Sequence, residues 1–281
     1  MPTDQQLFEN MGIAEKRGHA SLNPRPCTQV ERRRSLAAVF AALLISFASL
    51  GCDDRATSKN PAPTTLPPPA RVDHPAKIDG TVTFAGPAPQ LPRLIVAGDD
   101  KCVKAHPDGV ADESVVIGAG GALANTLVYL SDGPKSDGAG REPALIDQID
   151  CQYVPHVVAV QVNQPLRVRS SDPCMHNVHV MGTRNTALNF AEIQPSEQTV
   201  HFAEPEIMKA RCDVHPWMKA VIGVFDTPYF AVSGPDGKFA IGNVPPGAYT
   251  LTAWHERFGE KSQKITVAPD ASVHADFTYA P

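Results

Sequence analysis

From about Lys77 onward, no stretch of this chain keeps apolar residues at helical spacing for three turns, which leaves strands as the main element of whatever folds there. The longest charge-free apolar run, Leu36–Gly51, has 16 residues, short of the ~20 that cross a bilayer as a helix. It is followed at once by Cys52, Asp53, Asp54 and Arg55, and so reads as a segment that is removed rather than a retained span. Internal repeats and a nucleotide-binding glycine motif are both missing. Positive charge is also short: beyond residue 52 there are 19 Lys and Arg against 26 Asp and Glu, a net −7. That balance provides no basic stripe and excludes a nucleic-acid partner.

What is present begins with a polar segment ending in Glu31-Arg32-Arg33-Arg34-Ser35, ahead of the apolar run. Basic, apolar, then small residues is the form of a signal peptide, here residues 1–52. Ser49-Leu50-Gly51-Cys52 resembles the lipobox of bacterial lipoproteins, with Leu50 displaced by one position from the usual leucine. The resemblance implies lipidation of Cys52 and a membrane anchor; simple cleavage is the alternative. Either route exports the chain to an oxidising compartment, periplasmic or at the cell surface. Residues 53–76 form a linker in which six prolines, five of them between Pro61 and Pro69, hold the backbone extended as a semi-rigid spacer.

From Lys77 onward, short β-branched and aromatic runs are cut by Gly, Pro, Asn and Asp. Apolar and polar residues alternate in Ile78–Phe84, Val157–Val162 and Pro165–Ser170. Further strands are expected at Thr126–Leu130, Thr199–Phe202, Ala220–Phe225, Phe230–Ser233, Lys238–Ile241, Tyr249–Trp254 and Val273–Tyr279. Gly234-Pro235-Asp236-Gly237 is a hairpin signal, since proline presets φ and glycine accepts positive φ. The fold class is all-β, a sandwich architecture.

Composition shifts at Tyr229. Asp236-Gly237-Lys238-Phe239 and Asn243-Val244-Pro245-Pro246-Gly247-Ala248-Tyr249 resemble the second half of the carboxypeptidase-regulatory, or prealbumin-like, β-sandwich module. Residues 229–281 are few for an independent core. Gly80-Thr81-Val82 with Gly86-Pro87-Ala88-Pro89 resembles the opening strand of that module, so residues 77–123 are a candidate for its missing half.

The chemistry gathers in two clusters, Cys212-Asp213-Val214-His215-Pro216-Trp217-Met218 and His176-Asn177-Val178-His179. A thiolate, imidazoles and a thioether make up the ligand list of a mononuclear blue-copper centre. Taken singly, each residue has an ordinary reading: a cysteine pairs, a histidine pair decorates a surface, a methionine fills core. Zinc is the rival metal, but it rarely recruits methionine.

The order and spacing of these residues resemble the cupredoxins, most closely the amicyanin type with its short ligand loop. Coverage is about residues 124–228 of a copper domain spanning 77–228. The resemblance implies a Greek-key β-sandwich with one type 1 copper, His176, Cys212 and His215 as ligands, Met218 as the axial thioether, and the Asn177 amide bonded to the ligating sulfur. His179 is not a ligand in that scheme, because residues three apart on a strand face opposite ways. It implies an electron carrier and not an enzyme, since four protein ligands leave no position for substrate and the His-x-His pairs of multicopper enzymes are absent. The electron would pass through His215, its ring edge reaching the surface among Pro216, Trp217 and Met218. The partner would be a c-type cytochrome or a periplasmic dehydrogenase. Copper storage or delivery, and a structural or glycan-binding surface lipoprotein, are the alternatives.

Assigning Cys212 to copper leaves Cys102, Cys151 and Cys174, one pair and one orphan. The expected pair is Cys102–Cys151. Cys174 departs from the amicyanin pattern; two residues before His176, it would crowd the copper or pair with Cys212 when metal is absent. Trp254-His255-Glu256 reads as an aromatic packing unit with an exposed polar end. His106, His156, His201 and His274 read as surface or structural.

Overall fold

The computed structural model describes residues 71–193 and 195–281. The signal-like segment 1–52 with Cys52, and the spacer up to residue 70, lie outside the described residues. In chain order the strands are β1 (Ala76–Phe84), β2 (Leu127–Leu130), β3 (Ala144–Ile149), β4 (Gln152–Val154), β5 (Val157–Gln161), β6 (Leu166–Ser170), β7 (His176–Met181), β8 (Leu188–Glu192) and β9 (Ser196–Val200). They continue as β10 (Glu206–Arg211), β11 (Lys219–Phe225), β12 (Phe230–Val232), β13 (Lys238–Val244), β14 (Gly247–His255), β15 (Gly259–Val267), β16 (Ser272–His274) and β17 (Phe277–Tyr279). A short α-helix, α1 (Asp100–Ala105), and a 3-10 turn at Ala119–Gly121 lie between β1 and β2. No helix among the described residues is long and apolar enough to cross a membrane.

Two pairs of sheets account for the fold. The first sandwich faces a sheet ordered β5-β11-β10-β7-β8 with one ordered β4-β3-β6-β9. Strand alternation explains the layer: Leu166 and Val168 of β6 point inward while Arg167 and Arg169 stay half exposed. They meet Val158, Val160, Val178, Val180, Met208 and Ile222 in one core. The second sandwich sets a sheet ordered β13-β1-β16, with β17 also on β1, against one ordered β12-β2-β14-β15. Ile78, Val82, Phe84, Leu123, Val128 and Leu130 share its core with Phe239, Leu251, Phe277 and Tyr279. Residues from before and after the first sandwich therefore close a common core, and β2 pairs with β12 and β14 rather than with strands of the first sandwich. A smaller apolar cluster of Leu127, Val157, Val221 and Phe225 joins the two.

The turn at Gly234–Gly237 forms, with the Gly234 amide donating to the Lys238 carbonyl at 3.0 Å and Gly237 at φ 74°. The strands it connects enter different sheets, so it is a corner and not a ladder hairpin. The expected strand Val273–Tyr279 is broken into β16 and β17, both parallel to β1 in the same register, at the point where the Thr81 amide donates to the Asp276 side chain at 2.7 Å instead of to a backbone carbonyl.

The connection between β1 and β2 makes an excursion that positions the site. Leu94 and Val110 exchange two backbone hydrogen bonds, 2.9 and 3.0 Å, and close a loop around α1. Asp99 caps the helix by accepting from the amides of Lys101 and Cys102 at 2.8 and 3.2 Å. Val96, Cys102 and Val110 enter the first core, so the excursion is anchored and does not float over the sandwich.

Candidate metal centre

β10 and β11 are antiparallel, with Arg211 and Lys219 the last paired residues, and residues 212–218 connect them. The Cys212 amide donates to the Met218 carbonyl at 3.1 Å and the Met218 amide to the His215 carbonyl at 2.9 Å. The loop thus folds back on itself and buries Cys212, His215 and Met218, while Asp213, Val214 and Pro216 are exposed. β7 lies beside β10, and His176, its first residue, is fully buried. His179 points the other way, where its Nδ1 meets the Asp213 carboxylate at 3.0 Å.

The structure brings the three strongest ligand atoms together. Nδ1 of His176 and Nδ1 of His215 are 3.0 Å apart, and Cys212 Sγ is 3.8 Å from His215 Nδ1. The three side chains place one donor atom each within 4.8 Å of one another, all buried. One ion about 2.0 Å from each nitrogen and about 2.3 Å from sulfur spans such gaps. The Asn177 amide donates to Cys212 Sγ at 3.4 Å. The Asn177 side chain locks the neighbourhood: its Nδ2 donates to Asn189 Oδ1 at 2.6 Å and its Oδ1 accepts from the Asp213 amide at 3.1 Å.

Electrostatics favour a thiolate. Burial alone would raise the Cys212 thiol, but the His176 imidazole and the amides of Asn177, His215 and Val214 outweigh it and hold the group below its ordinary value. Burial pulls the His176 imidazole down, and the negative partners Cys212 and Asp172 more than offset it. Burial and then the neighbouring His176 lower His215. A buried cysteine sulfur beside two imidazoles whose Nδ1 atoms face each other has the donor chemistry that soft and borderline metals take.

Sequence reasoning missed the residue behind His176. Asp172 accepts from His176 Nε2 at 2.8 Å and from the amides of Asp150 and Cys151, each at 2.8 Å. A carboxylate on the outer nitrogen fixes the tautomer and directs the Nδ1 lone pair to the centre. The only signal was an acid four residues before a histidine, which is too common to read. Asp150 and Cys151 have φ of 49° and 55°, left-handed for residues with a Cβ, and the two bonds to Asp172 hold them there.

Two expectations are corrected. His215 does not reach the surface: it is 2% exposed, and its Nε2 faces Cys102 Sγ at 3.9 Å, beneath α1. Trp217 and Met218 are buried with it, the Trp217 ring 4.9 Å from the His215 ring and its Nε1 donating to the Cys151 carbonyl at 3.0 Å. Cys174 neither pairs with Cys212 nor shares its side of His176. Its Sγ lies 3.5 Å from His176 Nε2, the nitrogen opposite the centre, and 3.9 Å from Cys151 Sγ. Cys102 and Cys151 are bridged, and Cys174 and Cys212 are the free thiols among the described residues.

Of the remaining residues singled out, His255 is buried within the second core, stacked on Phe258 at 4.8 Å. Glu256 is not an exposed end: it is half-buried and its Oε1 meets His156 Nε2 at 2.5 Å across the two sandwiches. His106 bonds the Asp150 carbonyl and His274 the Asp79 carboxylate, both at the surface.

A carboxypeptidase regulatory-like domain model matches residues 215–280, beginning inside the ligand loop. No curated protein matches the chain. Among solved structures, it is similar to a copper-containing nitrite reductase from Thermus scotoductus SA-01, at 16% identity and a TM-score of 0.29 over 35% of this chain and 25% of that one. The chain thus spans about a quarter of the length of that enzyme. It is similar to a purple cupredoxin from Nitrosopumilus maritimus, at 18% identity and a TM-score of 0.26, over 29% of this chain and 98% of the other. It is likewise similar to a mutant of amicyanin in the Cu(I) form, at 17% identity and a TM-score of 0.28, over 34% of this chain and 97% of the other.

Proposed function

We propose that the chain is an electron carrier built on one type 1 copper held by His176, Cys212, His215 and Met218. The observation that carries this reading is the approach of the two Nδ1 atoms to 3.0 Å with Cys212 Sγ 3.8 Å from one of them, in a pocket closed to water. Copper bound there would supply a one-electron couple. The protein's part is to keep the donors still. The loop bonds between Cys212, His215 and Met218 and the carboxylate of Asp172 hold them in place, so a change of charge requires little movement. The Asn177 amide stabilises negative charge on sulfur. Electrons would come from or go to a c-type cytochrome or a dehydrogenase, in the periplasm or at the cell surface, with lipidated Cys52 and the proline spacer tethering the chain to a membrane.

One observation favours a second reading, copper storage or delivery: the outer edge of His215 is covered by Cys102 and not presented to a partner. Absorption and paramagnetic-resonance spectra of the copper-loaded protein separate the two. Electron carriage requires an intense thiolate-to-copper visible band that survives repeated reduction and oxidation, and cytochrome reduction that is lost in Cys212→Ser. Loss of the ion to a chelator at each cycle supports storage, and a spectrum without the thiolate band overturns both.

A further inference from the structure

Three sulfurs outside the copper ligands meet in one place. Cys102 and Cys151 are bonded to each other, Cys174 Sγ is 3.9 Å from Cys151 Sγ, and Cys174 and Cys102 place their sulfurs within 4.8 Å. All three are buried. Carboxylates flank them: Asp172 has an oxygen within 4.8 Å of the sulfurs of Cys151 and Cys174, and Asp99 within 4.8 Å of those of Cys102 and Cys174.

Two chemistries use a thiol beside a disulfide, and the geometry decides between them. Exchange needs the attacking sulfur in line with the bond that breaks; with Cys174 at 3.9 Å from Cys151, a collinear attack would put it about 6 Å from Cys102 Sγ. The actual separation is at most 4.8 Å, so the sulfurs form a triangle and not a line. A triangle with an edge near 3.9 Å suits three thiolates bonded at about 2.3 Å to one ion, whose sulfurs sit about 3.8–4.0 Å apart.

We propose that Cys102, Cys151 and Cys174 form a second metal site, distinct from the His176–Cys212–His215 centre, which takes a thiophilic d10 ion such as Cu(I) or Zn(II) when the disulfide is reduced. A dithiol reductant donates two electrons and two protons, breaking the Cys102–Cys151 bond and leaving as its own disulfide. The ion then displaces the three thiol protons. Oxidation of Cys102 and Cys151 by a disulfide oxidant reverses the step and expels the ion, so the redox state of this pair sets how many ions the chain carries.

The site survives loss of the covalent link because its parts are held independently. Cys151 is fixed through its amide to Asp172 and its carbonyl to Trp217 Nε1. Cys102 sits on α1 behind the Asp99 cap, in an excursion closed by the Leu94–Val110 bonds and by buried Val96 and Val110. The burial of those two side chains holds the excursion whether or not the disulfide is present. Cys174 lies two residues before β7.

Cadmium(II) tests this on the full chain, since its ultraviolet thiolate band reports sulfur ligation. The oxidised chain is expected to bind one ion, the phosphine-reduced chain two with a stronger band, and reduced Cys174→Ser, whose native disulfide forms normally before reduction, one. The near-ultraviolet circular dichroism of the reduced, loaded chain should match that of the oxidised chain. Equal stoichiometry in both redox states, a second ion retained by Cys174→Ser, or loss of the tertiary signal on reduction would each overturn the proposal. An oxidised chain that binds none while reduction adds one would sink the copper reading and leave this one standing.

Discussion

His215 Nε2 and Cys102 Sγ, 113 residues apart, face each other at 3.9 Å, so the imidazole nearest the ligand loop is roofed by a disulfide. Its opposite nitrogen, Nδ1, is 3.0 Å from His176 Nδ1. The His176 ring repeats the arrangement, Nδ1 inward and Nε2 outward to Asp172 and Cys174. Two imidazoles thus separate an inner cluster from an outer one of sulfurs and carboxylates.

Cutting the covalent link in that roof should destabilise the fold and loosen the cover over the centre without displacing it. The Cys102–Cys151 bridge closes a 49-residue separation, and the chain-entropy estimate for Cys102→Ser/Cys151→Ser is a loss of about 4 kcal/mol. Urea unfolding measures that. The same variant should surrender its bound metal to a chelator faster than the parent does; an unchanged release rate would mean that α1 is not a barrier.

Asp172→Asn tests the support behind His176. The amide can no longer hold a proton on Nε2 with a full negative charge, and metal affinity should fall about 10- to 100-fold in chelator competition. Stability should fall as well, since the amides of Asp150 and Cys151 share the same carboxylate. Unaltered affinity would remove Asp172 from any part in orienting the ligand.

Gly237→Ala should cost about 1–3 kcal/mol in denaturant unfolding. Gly237 has φ 74°, and an added Cβ would lie 2.5 Å from the Val82 carbonyl oxygen, a backbone atom with no rotamer to retreat into. The loss should appear in the cooperative unfolding of the second sandwich, because the turn joins β12 to β13.

His255 makes stability depend on pH. Burial in the second core pushes its imidazole down to about 4, and its Nε2 has no hydrogen-bond partner. The fold therefore favours the neutral ring: its contribution is fully present above the unfolded-state value near 6.5, and it is lost as pH falls from there toward 4. Between those limits the stability advantage of the parent over His255→Gln should shrink, by up to about 3 kcal/mol. Parallel pH curves for the two proteins would show that His255 is not the group responsible.

What the sequence determined by itself is local. Cys212, His215 and Met218 lie within one seven-residue connection, so their spacing constrains their geometry before any tertiary contact forms. Alternation located β1 and β6 because each has one buried and one wetter face. It did not locate β15, Gly259–Val267, whose polar residues suit an edge strand paired only with β14. The tertiary structure decided everything that depends on which surface lies opposite. Alternation records that a face is covered, not what covers it. That α1 roofs His215, that Asp172 backs His176, that Cys174 faces Cys151 and not Cys212, and that β1 and β2 complete a core with residues 229–279 all arise from segments far apart in sequence. They meet only when apolar burial brings the two sandwiches and the α1 excursion together.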